Sequence, residues 1–306
     1  MTAAKIEGRG LEKEFDGHRA LDGLNISIGE GSIHGLLGPN GAGKTTFIRM
    51  VTQILRPDRG EIEIDGRAQR ADDIKRIGYL PEERGLYPRM RSGEQVVYYA
   101  RLHGMSRVDA TAKAKEWFER LGIGEWWGHE VRDLSKGMQQ KVQFITAVIH
   151  GPEILIFDEP FSGFDPLNAQ AMRGEMMELR KGGATIVLAS HDMMSVQEMC
   201  DTFTLIDKSR DVLSGEIMAT RRAFSDGLTR VEIIGSEAAL RETGLVEIVR
   251  TTDTGAGRTQ AVVRASRAGT TRQELIRGLL ERVEVTAFSE ELPTMTDIFI
   301  KLTGEK

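Results

Sequence analysis

The sequence has 306 residues, 40% of them hydrophobic and 28% charged, a composition typical of a globular protein with one large domain or a large and a small one. The formal net charge of −5 gives no broad basic surface, so we expect no nucleic-acid partner. The single cysteine excludes an intramolecular disulfide. No apolar run approaches the ~20 residues that cross a bilayer, and the N-terminus has no signal-peptide core, so we expect any membrane-spanning part to lie on another polypeptide.

The N-terminal part of the chain predicts strands that lead into a glycine-rich loop and a helix. Short alternating segments cover residues 4–37, and apolar residues at helical spacing predict a helix from Thr45 to Leu55. Two further short strands follow. Residues 92–150 then change character, because they show helical spacing and almost no strand signal.

Strands return after this helical segment and alternate with helices. "EILIFDEP" and "ATIVLAS" are apolar runs typical of central strands buried on both faces, and a predicted helix from Leu167 to Lys181 separates them. A pair of strands closes the unit near residue 217. This order predicts a parallel α/β core that is interrupted by a helical insertion.

A second domain is predicted after residue 220. Residues 221–306 give strand, helix, strand, strand, helix and strand, and then a last helix. The βαββαβ order is typical of a ferredoxin-like α+β domain. We therefore expect two domains, 1–220 and 221–306, with the helical insertion of the first at about residues 88–150.

The segment "GPNGAGKT" has the full spacing of a phosphate-binding loop and lies between a predicted strand and a predicted helix. Glycines let backbone N–H groups approach a phosphate, the lysine can reach the β- and γ-phosphates, and the threonine hydroxyl can coordinate Mg²⁺. The candidate nucleotide-binding residues of this loop are Gly38, Pro39, Asn40, Gly41, Ala42, Gly43, Lys44, Thr45 and Thr46.

Two carboxylates follow the apolar strand "ILIFDEP". Asp158 is expected at the carboxyl end of a central strand, where ligands bind in open α/β sheets, and it can hold Mg²⁺ directly or through water. Glu159 can orient or deprotonate an attacking water. An acidic turn after a strand is the ordinary alternative, but the phosphate loop favours a catalytic pair.

Two further candidates are ambiguous by themselves. His191, in "LASHD", follows another apolar strand and can donate a hydrogen bond to a γ-phosphate, although a capping or core histidine is the ordinary alternative. Phe15 can stack on an adenine ring, although a core aromatic residue is the ordinary alternative.

A second anion-binding turn is predicted far downstream of the phosphate loop. In "LSKGMQQK", Ser135 can cap a helix and Gly137 allows a ligand to approach the backbone. The N-terminus of a helix carries free N–H groups and a positive dipole end, which favour an anion. One chain therefore carries two turns that can face phosphate.

The order of these motifs, together with "SGFDP", resembles that of the nucleotide-binding subunit of an ABC transporter over about residues 4–220. The resemblance implies a P-loop NTPase fold with a mixed sheet and an α-helical subdomain. It also implies that two subunits face head to tail, with each ATP between the phosphate loop of one and the signature helix of the other. Ser135 and Gly137 would then complete the site of a second copy, and Asp165 is the family's residue linking the two sites.

The same resemblance implies partners and a location. We expect ATP and Mg²⁺ as cofactors, a second ATP-binding subunit, most simply another copy, and an integral membrane permease driven by ATP hydrolysis. The expected location is the cytoplasmic face of the cell membrane. The segment "PEERGLYP" resembles the sodium-export-like group, and C-terminal segments such as residues 223–306 follow this core in export-type systems.

Three features depart from the usual pattern of the family. Lys136 and Met138 replace a glycine and a glutamine of the signature, and Phe15 replaces the more usual tyrosine. Glu82 stands where the family usually has a glutamine that contacts Mg²⁺ and water. A carboxylate can also coordinate Mg²⁺, whereas a solvated pair of Glu82 and Glu83 is the alternative.

Two other functions are compatible with part of the pattern. A soluble ABC ATPase acting on ribosomes or DNA usually has two ATP cassettes or a long coiled-coil insertion, whereas this chain has one phosphate loop. An ATP-binding regulatory module without turnover would not need the full set of Lys44, Asp158, Glu159 and His191.

Overall fold

In the computed structural model, which describes residues 3–83, 85–162 and 164–304, three β-sheets organise the chain. Two sheets belong to the unit Met1–Ile217, and one belongs to the unit Met218–Lys306. The two units meet in sequence at Ile217, close to the predicted boundary at residue 220.

The first unit contains a four-stranded antiparallel sheet of order β2-β1-β4-β5 and a six-stranded sheet of order β10-β9-β3-β8-β7-β6. In the larger sheet all neighbouring strands are parallel except β10, which pairs antiparallel with β9. The strands are β1 (Ala4–Phe15), β2 (His18–Gly29), β3 (Ile33–Leu37), β4 (Arg59–Ile64), β5 (Arg67–Ala68), β6 (Ile77–Leu80), β7 (Ile154–Asp158), β8 (Thr185–Ser190), β9 (Thr202–Asp207) and β10 (Arg210–Glu216).

The centre of the larger sheet explains where a ligand can bind. Every residue of β3, β7 and β8 is buried, as expected for parallel strands covered on both faces. The carboxyl ends of parallel strands lie at one edge of a sheet. The segments that follow β6, β7, β8 and β3, which are neighbours in the sheet, therefore meet at that edge.

Helices cover the sheet and form the predicted helical subdomain, which α2, α3 and α4 build. In this subdomain the Phe144 ring of α4 contacts Trp117 of α3, with 5.9 Å between ring centroids, and Phe157 of β7 at 5.5 Å. These contacts attach the subdomain to the central sheet. The helices are α1 (Lys44–Val51), α2 (Ser92–Leu102), α3 (Arg107–Arg120), α4 (Lys136–Val148), α5 (Pro166–Lys181) and α6 (Met193–Met199), with short 3₁₀ helices at Ala71–Arg76, Gly124–Trp126 and Val131–Asp133.

Helix α1 is shorter than its apolar spacing predicts. The expected helix continued to Leu55, whereas the helix ends at Val51. Gln53 has φ 60°, a left-handed conformation that ends a right-handed helix. Leu55 nevertheless packs against the core of the first unit, which explains why the apolar spacing extends beyond the helix.

The second unit has one four-stranded antiparallel sheet of order β12-β13-β11-β14. Its core consists of residues from these strands and from α8 and α9, including Val231, Leu240, Val263 and Leu279. Its strands and helices alternate in the predicted βαββαβ order, so the α/β core and the ferredoxin-like C-terminal fold are confirmed. The elements are α7 (Ile217–Ala223), which the sequence did not predict, β11 (Thr229–Ile234), α8 (Glu237–Glu242), β12 (Val246–Gly255), β13 (Arg258–Ala265), α9 (Arg272–Leu280), β14 (Glu284–Glu290) and α10 (Met295–Thr303).

Candidate nucleotide-binding site

A cavity of about 360 Å³ lies in the first unit, where the loop after β3 meets the ends of β6 and β7 and one end of β2. It brings together most of the residues predicted to bind nucleotide and metal. The described lining residues are Phe15, His18, Ala20, Asn40, Gly41, Gly43, Lys44, Thr45, Thr46, Glu82, Asp158 and Glu159.

Close backbone contacts explain two glycines of the phosphate loop. A Cβ atom at Gly38 would lie 2.2 Å from the carbonyl oxygen of Ile206, and one at Gly43 would lie 2.6 Å from that of Ala20. Gly43 also has φ 115°, which side chains rarely allow. Only glycine therefore allows the loop to lie this close to β9 and β2 while it leads into α1.

The Lys44 side chain is buried and folds back onto its own loop. Its ammonium donates to the carbonyl oxygens of Gly38 at 2.6 Å and Pro39 at 3.1 Å. Burial lowers the pKa of Lys44, and the charges of nearby carboxylates, Glu159 foremost, oppose that shift. A nucleotide phosphate in the cavity would offer this cation a stronger acceptor than the two carbonyl groups do.

Asp158 and Thr45 are neighbours at the floor of the site. The Thr45 hydroxyl donates to Asp158 Oδ2 at 3.2 Å. Burial raises the pKa of Asp158 to about 6, the hydrogen bond from Thr45 lowers it, and the charges of Glu82 and Glu159 raise it further. The charge of the nearby Lys44 ammonium opposes the effect of these two carboxylates. This oxygen-rich, negatively charged set fits a hard divalent cation such as Mg²⁺.

Glu159 has a constrained place directly after β7. It has φ 49°, a conformation uncommon outside glycine, and its carboxylate is buried. Its Oε1 accepts from the backbone N–H and from Nδ1 of His191, both at 2.7 Å, and its Oε2 accepts from the Ser190 hydroxyl at 2.9 Å. The end of β8 thus fixes the orientation of the carboxylate.

His191 is not among the described residues that line the cavity, but it contacts Glu159, which does line it. Its Nδ1 contacts an acceptor, so that nitrogen carries the proton, and the ring is 60% exposed. In this structure His191 contacts Glu159, and its contact with a γ-phosphate stays a prediction.

Three residues that contribute to the site were not predicted. Ser190 donates to Glu159, while His18 and Ala20 line the cavity from β2. A signal existed for the last two, because positions 18 and 20 alternate on a strand that follows Phe15 across a tight turn. Ser190 has no comparable signal, because its role depends on β8 lying next to β7.

The second predicted anion turn has the expected helix cap and does not line this cavity. Ser135 caps α4, since its hydroxyl oxygen accepts from the Met138 N–H at 3.3 Å, and Asp165 caps α5 by accepting from Asn168 N–H at 3.0 Å. Both caps are exposed, and neither they nor Gly137 are among the described lining residues.

No close contact requires Gly137 to be a glycine in the described part of the chain. A Cβ atom there would meet its nearest neighbour, the Phe164 ring, at an ordinary 3.7 Å. Its backbone φ is also not in the left-handed region. Gly137 is half-buried, and the lack of a side chain allows a ligand to approach its backbone more closely than another residue would.

Two protein families match the chain. Residues 21–162 match the family described as ABC transporter. Residues 215–303 match the family described as ATP-binding protein DrrA1-3-like, C-terminal domain.

The sequence is similar to other proteins over nearly its whole length. It is 38% identical over 294 residues to YhaQ of Bacillus subtilis, an uncharacterized ABC transporter ATP-binding protein, with 96% of this chain and 97% of YhaQ covered. It is 28% identical over 311 residues to the Nod factor export ATP-binding protein I of Burkholderia lata, with 100% of this chain and 99% of that protein covered. A solved structure of the ATP-binding subunit of an ABC transporter covers 72% of this chain and 92% of its own, with a TM-score of 0.66 and 28% identity.

The fold and the phosphate-loop cavity are those of a P-loop ATPase. The chain belongs to the family of ABC transporter ATP-binding proteins. It therefore binds ATP and couples ATP hydrolysis to transport, so the predicted family and enzyme class are confirmed. Subunits of this family dimerise and work with membrane permease components. Among the described residues no helix has both the length and the apolar character of a membrane span.

Proposed function

We propose that this chain is the ATP-hydrolysing subunit of an exporter and acts with a separate integral membrane permease at the cytoplasmic face of the cell membrane. The observation that carries the proposal is the single cavity in which the phosphate loop meets Glu82, Asp158 and Glu159. A DrrA1-3-like C-terminal domain and a full-length relative named for Nod factor export support export as the direction. The resemblance of "PEERGLYP" to the sodium-export-like group supports the same direction.

The residues of the cavity have distinct proposed roles in ATP binding. The loop from Gly38 to Thr46 surrounds the phosphates, and Lys44 exchanges its two carbonyl acceptors for the β- and γ-phosphates. Phe15, exposed at the mouth of the cavity, stacks on the adenine ring, with His18 and Ala20 beside it.

Mg²⁺ would be held by Thr45 and Asp158, with Glu82 as a further ligand. Bound there, it would supply positive charge to the phosphate oxygens. The hydroxyl of Thr45 already lies against the Asp158 carboxylate, so both groups are placed to face one ion. Glu82 is exposed and lines the same cavity, which leaves it free to approach the metal.

Glu159 is the proposed base for the attacking water, and His191 is the residue that contacts both this base and the γ-phosphate. The Glu159 carboxylate is fixed by Ser190 and His191, so it can accept a proton from a water held beside it. The exposed ring of His191 leaves Nε2 accessible to a phosphate or to a second subunit.

The ATP sites are proposed to form between two copies of the chain. Ser135 and Gly137 lie at an exposed helix N-terminus that does not line the chain's own cavity, among the residues described. Among the described residues no close contact explains why position 137 is a glycine, so we assign Gly137 to contact with the ATP of the other subunit. Asp165, at the exposed start of α5, would lie between the two sites.

Cell fractionation tests the proposed function. An antibody against the chain is expected to find most of it in the membrane fraction, cross-linked to a polytopic membrane protein, and washing with high salt is expected to release it. Lys44→Ala is compared with the parent chain, because the variant should remain in the membrane fraction and lose transport. Recovery of the chain mainly with ribosomes or DNA would contradict the proposal.

A further inference from the structure

One side chain ties the signature helix α4 to the loop that carries Glu82. Gln143, in the middle of α4, is only 3% exposed. Its Nε2 donates to the carbonyl oxygen of Pro81 at 3.0 Å and to that of Glu83 at 3.2 Å. These carbonyl groups belong to the residues immediately before and after Glu82, so Gln143 holds the backbone on both sides of it.

Both hydrogen bonds come from the two N–H groups of a single amide nitrogen, which is the full donor capacity of that atom. The Gln143 Oε1 is also buried and has no hydrogen-bond partner among the residues that the structure describes. The amide is therefore anchored by its donor side alone. A side chain of the same length without N–H groups would release the loop.

The other end of α4 is the proposed signature turn. Ser135 caps the helix eight residues before Gln143, about 12 Å away at the rise of an α-helix. A helix of this length moves as a rigid element, so a displacement at Gln143 reaches Ser135. One turn before Gln143, Gln140 donates to the carbonyl oxygen of Pro160 at 3.3 Å, next to Glu159. Two side chains of α4 thus contact both carboxylate-bearing loops of the cavity.

We propose that Gln143 is a positioning residue that links the Glu82 side of the chain's own ATP site to the signature helix that the chain contributes to its partner's site. The inference rests on the proposed function, in which the sites are shared between two copies. Gln143 does not line the ATP cavity and acts through the backbone around Glu82. Through this link, occupation of one ATP site changes the geometry of the other.

The first test uses Gln143→Met, which keeps the length and the helix propensity of the side chain and removes both donors. The matched control is Thr146→Val, one turn away on α4. Like Gln143, Thr146 lines a second cavity of the first unit, but its hydroxyl donates to the carbonyl oxygen of Gln143 within the helix at 2.6 Å and not to the Glu82 loop as far as that loop is described. Both variants should remain folded, which thermal melting checks, although Gln143→Met can melt a few degrees lower because it loses two buried hydrogen bonds. The parent, the variant and the control are compared in the full-length protein.

Gln143→Met is expected to raise the Mg²⁺ concentration for half-maximal ATPase by about three- to tenfold, which corresponds to the loss of about one neutral hydrogen bond. A second readout needs no turnover. The gain in affinity for a fluorescent ATP analogue on replacing EDTA by Mg²⁺ should shrink by the same factor. Thr146→Val should leave both quantities unchanged. Equal Mg²⁺ dependence in Gln143→Met and the parent would overturn the proposal.

A double-mutant cycle with Glu82→Gln tests whether Gln143 acts through Glu82. If it does, the double variant shifts the Mg²⁺ dependence no further than the larger of the two single changes. Two shifts that multiply independently would show that Gln143 acts elsewhere, and the assignment would be wrong.

Mixed dimers test the transmission to the partner. A Lys44→Ala subunit paired with a Ser135→Arg subunit leaves one sound site, built from the phosphate loop of the second and the signature helix of the first. Adding Gln143→Met to either subunit is expected to lower the activity of that site. The link would be refuted if Gln143→Met lowered the ATPase activity only when placed in the subunit that supplies the phosphate loop, or in neither subunit. If the mixed dimer is inactive before Gln143 is changed, the proposal that the sites are shared between two copies is contradicted, and the link through Gln143 is wrong with it.

Discussion

The Glu159 carboxylate is held by three donors and by an unusual backbone conformation. The Ser190 hydroxyl and two N–H groups of His191 fix both of its oxygens. The left-handed φ of 49° costs conformational energy, which the surrounding strands must offset. Such a local cost at the end of a buried strand is typical of residues whose orientation matters for function.

Glu159→Gln tests the base. The amide keeps the size of the carboxylate but cannot take a proton from water, so hydrolysis should fall at least about 100-fold. ATP affinity should stay within about threefold, because the amide removes no phosphate contact. Phosphate release and a nucleotide titration measure the two quantities. Glu83→Gln, an exposed neighbour of Glu82 outside the described cavity lining, is the control and should behave like the parent. Parental turnover in Glu159→Gln would remove Glu159 from this role.

Glu82 places a negative charge where the usual pattern of the family has a neutral glutamine. Two unit charges ~4 Å apart interact by roughly 4 kcal/mol at an intermediate effective dielectric, before solvent and counter-ions reduce it. The carboxylate already contributes to the raised pKa of Asp158, so it lies within electrostatic reach of the proposed metal ligand. A cation between the two carboxylates would convert their repulsion into attraction.

Glu82→Gln should therefore raise the Mg²⁺ concentration for half-maximal ATPase and leave folding and dimerisation unchanged. ATPase is measured against Mg²⁺ at saturating ATP, with circular dichroism and sedimentation as checks on the fold and the oligomer. Glu83→Gln is again the matched control. An unchanged Mg²⁺ dependence would place Glu82 outside the metal's ligands and favour a solvated pair of glutamates.

Among the described residues, the N-terminus of helix α4 does not line the cavity that the chain itself forms. Ser135 is exposed, and no close contact in the described part of the chain requires a glycine at position 137, whereas the middle of the helix is buried against the subdomain and the sheet. An element built this way serves two surfaces. Its buried face belongs to its own subunit, and its free end fits a ligand held by another.

Ser135→Arg tests this division. The large cation at the helix start should obstruct the partner's ATP site, so it should block hydrolysis and leave ATP binding to the monomer within about twofold. Mixing the variant with Lys44→Ala subunits should restore part of the activity, because each mixed dimer contains one sound site. Activity is measured over a series of mixing ratios.

The control for the mixing experiment is the ATPase activity of each variant alone, and each should be inactive. Cross-linking confirms that mixed dimers form. Failure to recover activity in confirmed mixed dimers would contradict the shared site, and recovery in Ser135→Arg alone would show that the residue lies outside any site.

The elements that sequence predicted well are those with strong local signals. The phosphate loop was found because strand, glycines and helix adjoin in sequence, and β7 and β8 because their residues are uniformly apolar. The end of α1 was missed because Gln53 turns the chain before the apolar spacing stops. The separate antiparallel sheet was not predicted, since alternation in β1 and β2 does not show which strands they pair with.

At the scale of the whole molecule, the same distinction separates the predicted site residues from the missed ones. Lys44, Thr45 and Asp158 belong to motifs with known spacing, and the cavity brings them together. Ser190 and Gln143 contact residues 31 and 60 or more positions away, so their contacts depend on strand order and helix packing. Contacts of that kind follow from topology, which one sequence does not specify residue by residue.

The two units have separate hydrophobic cores, so conditions that weaken one core need not affect the other. Acid pH is such a condition for the first unit, because this unit contains the buried His34. It is fully buried in β3, and its ring nitrogens contact the hydroxyl groups of Thr202 and Thr204 on β9 at 2.9 and 3.1 Å. Burial lowers its pKa to about 3, well below the value of about 6.5 in an unfolded chain.

Acid should therefore destabilise the first unit through His34. Below pH 6.5 the unfolded chain binds a proton that the folded state excludes, so this stability is complete above pH 6.5 and is lost as the pH falls towards 3. Between pH 7.5 and 5.0 the loss amounts to about 2 kcal/mol. Urea unfolding followed by tryptophan fluorescence measures it, because Trp117, Trp126 and Trp127 all lie in the first unit. His34→Gln should lack this part of the pH dependence, whereas the control His18→Gln, at an exposed position, should retain it. A His34→Gln variant that loses as much stability as the parent between these pH values would show that the buried ring is not the cause.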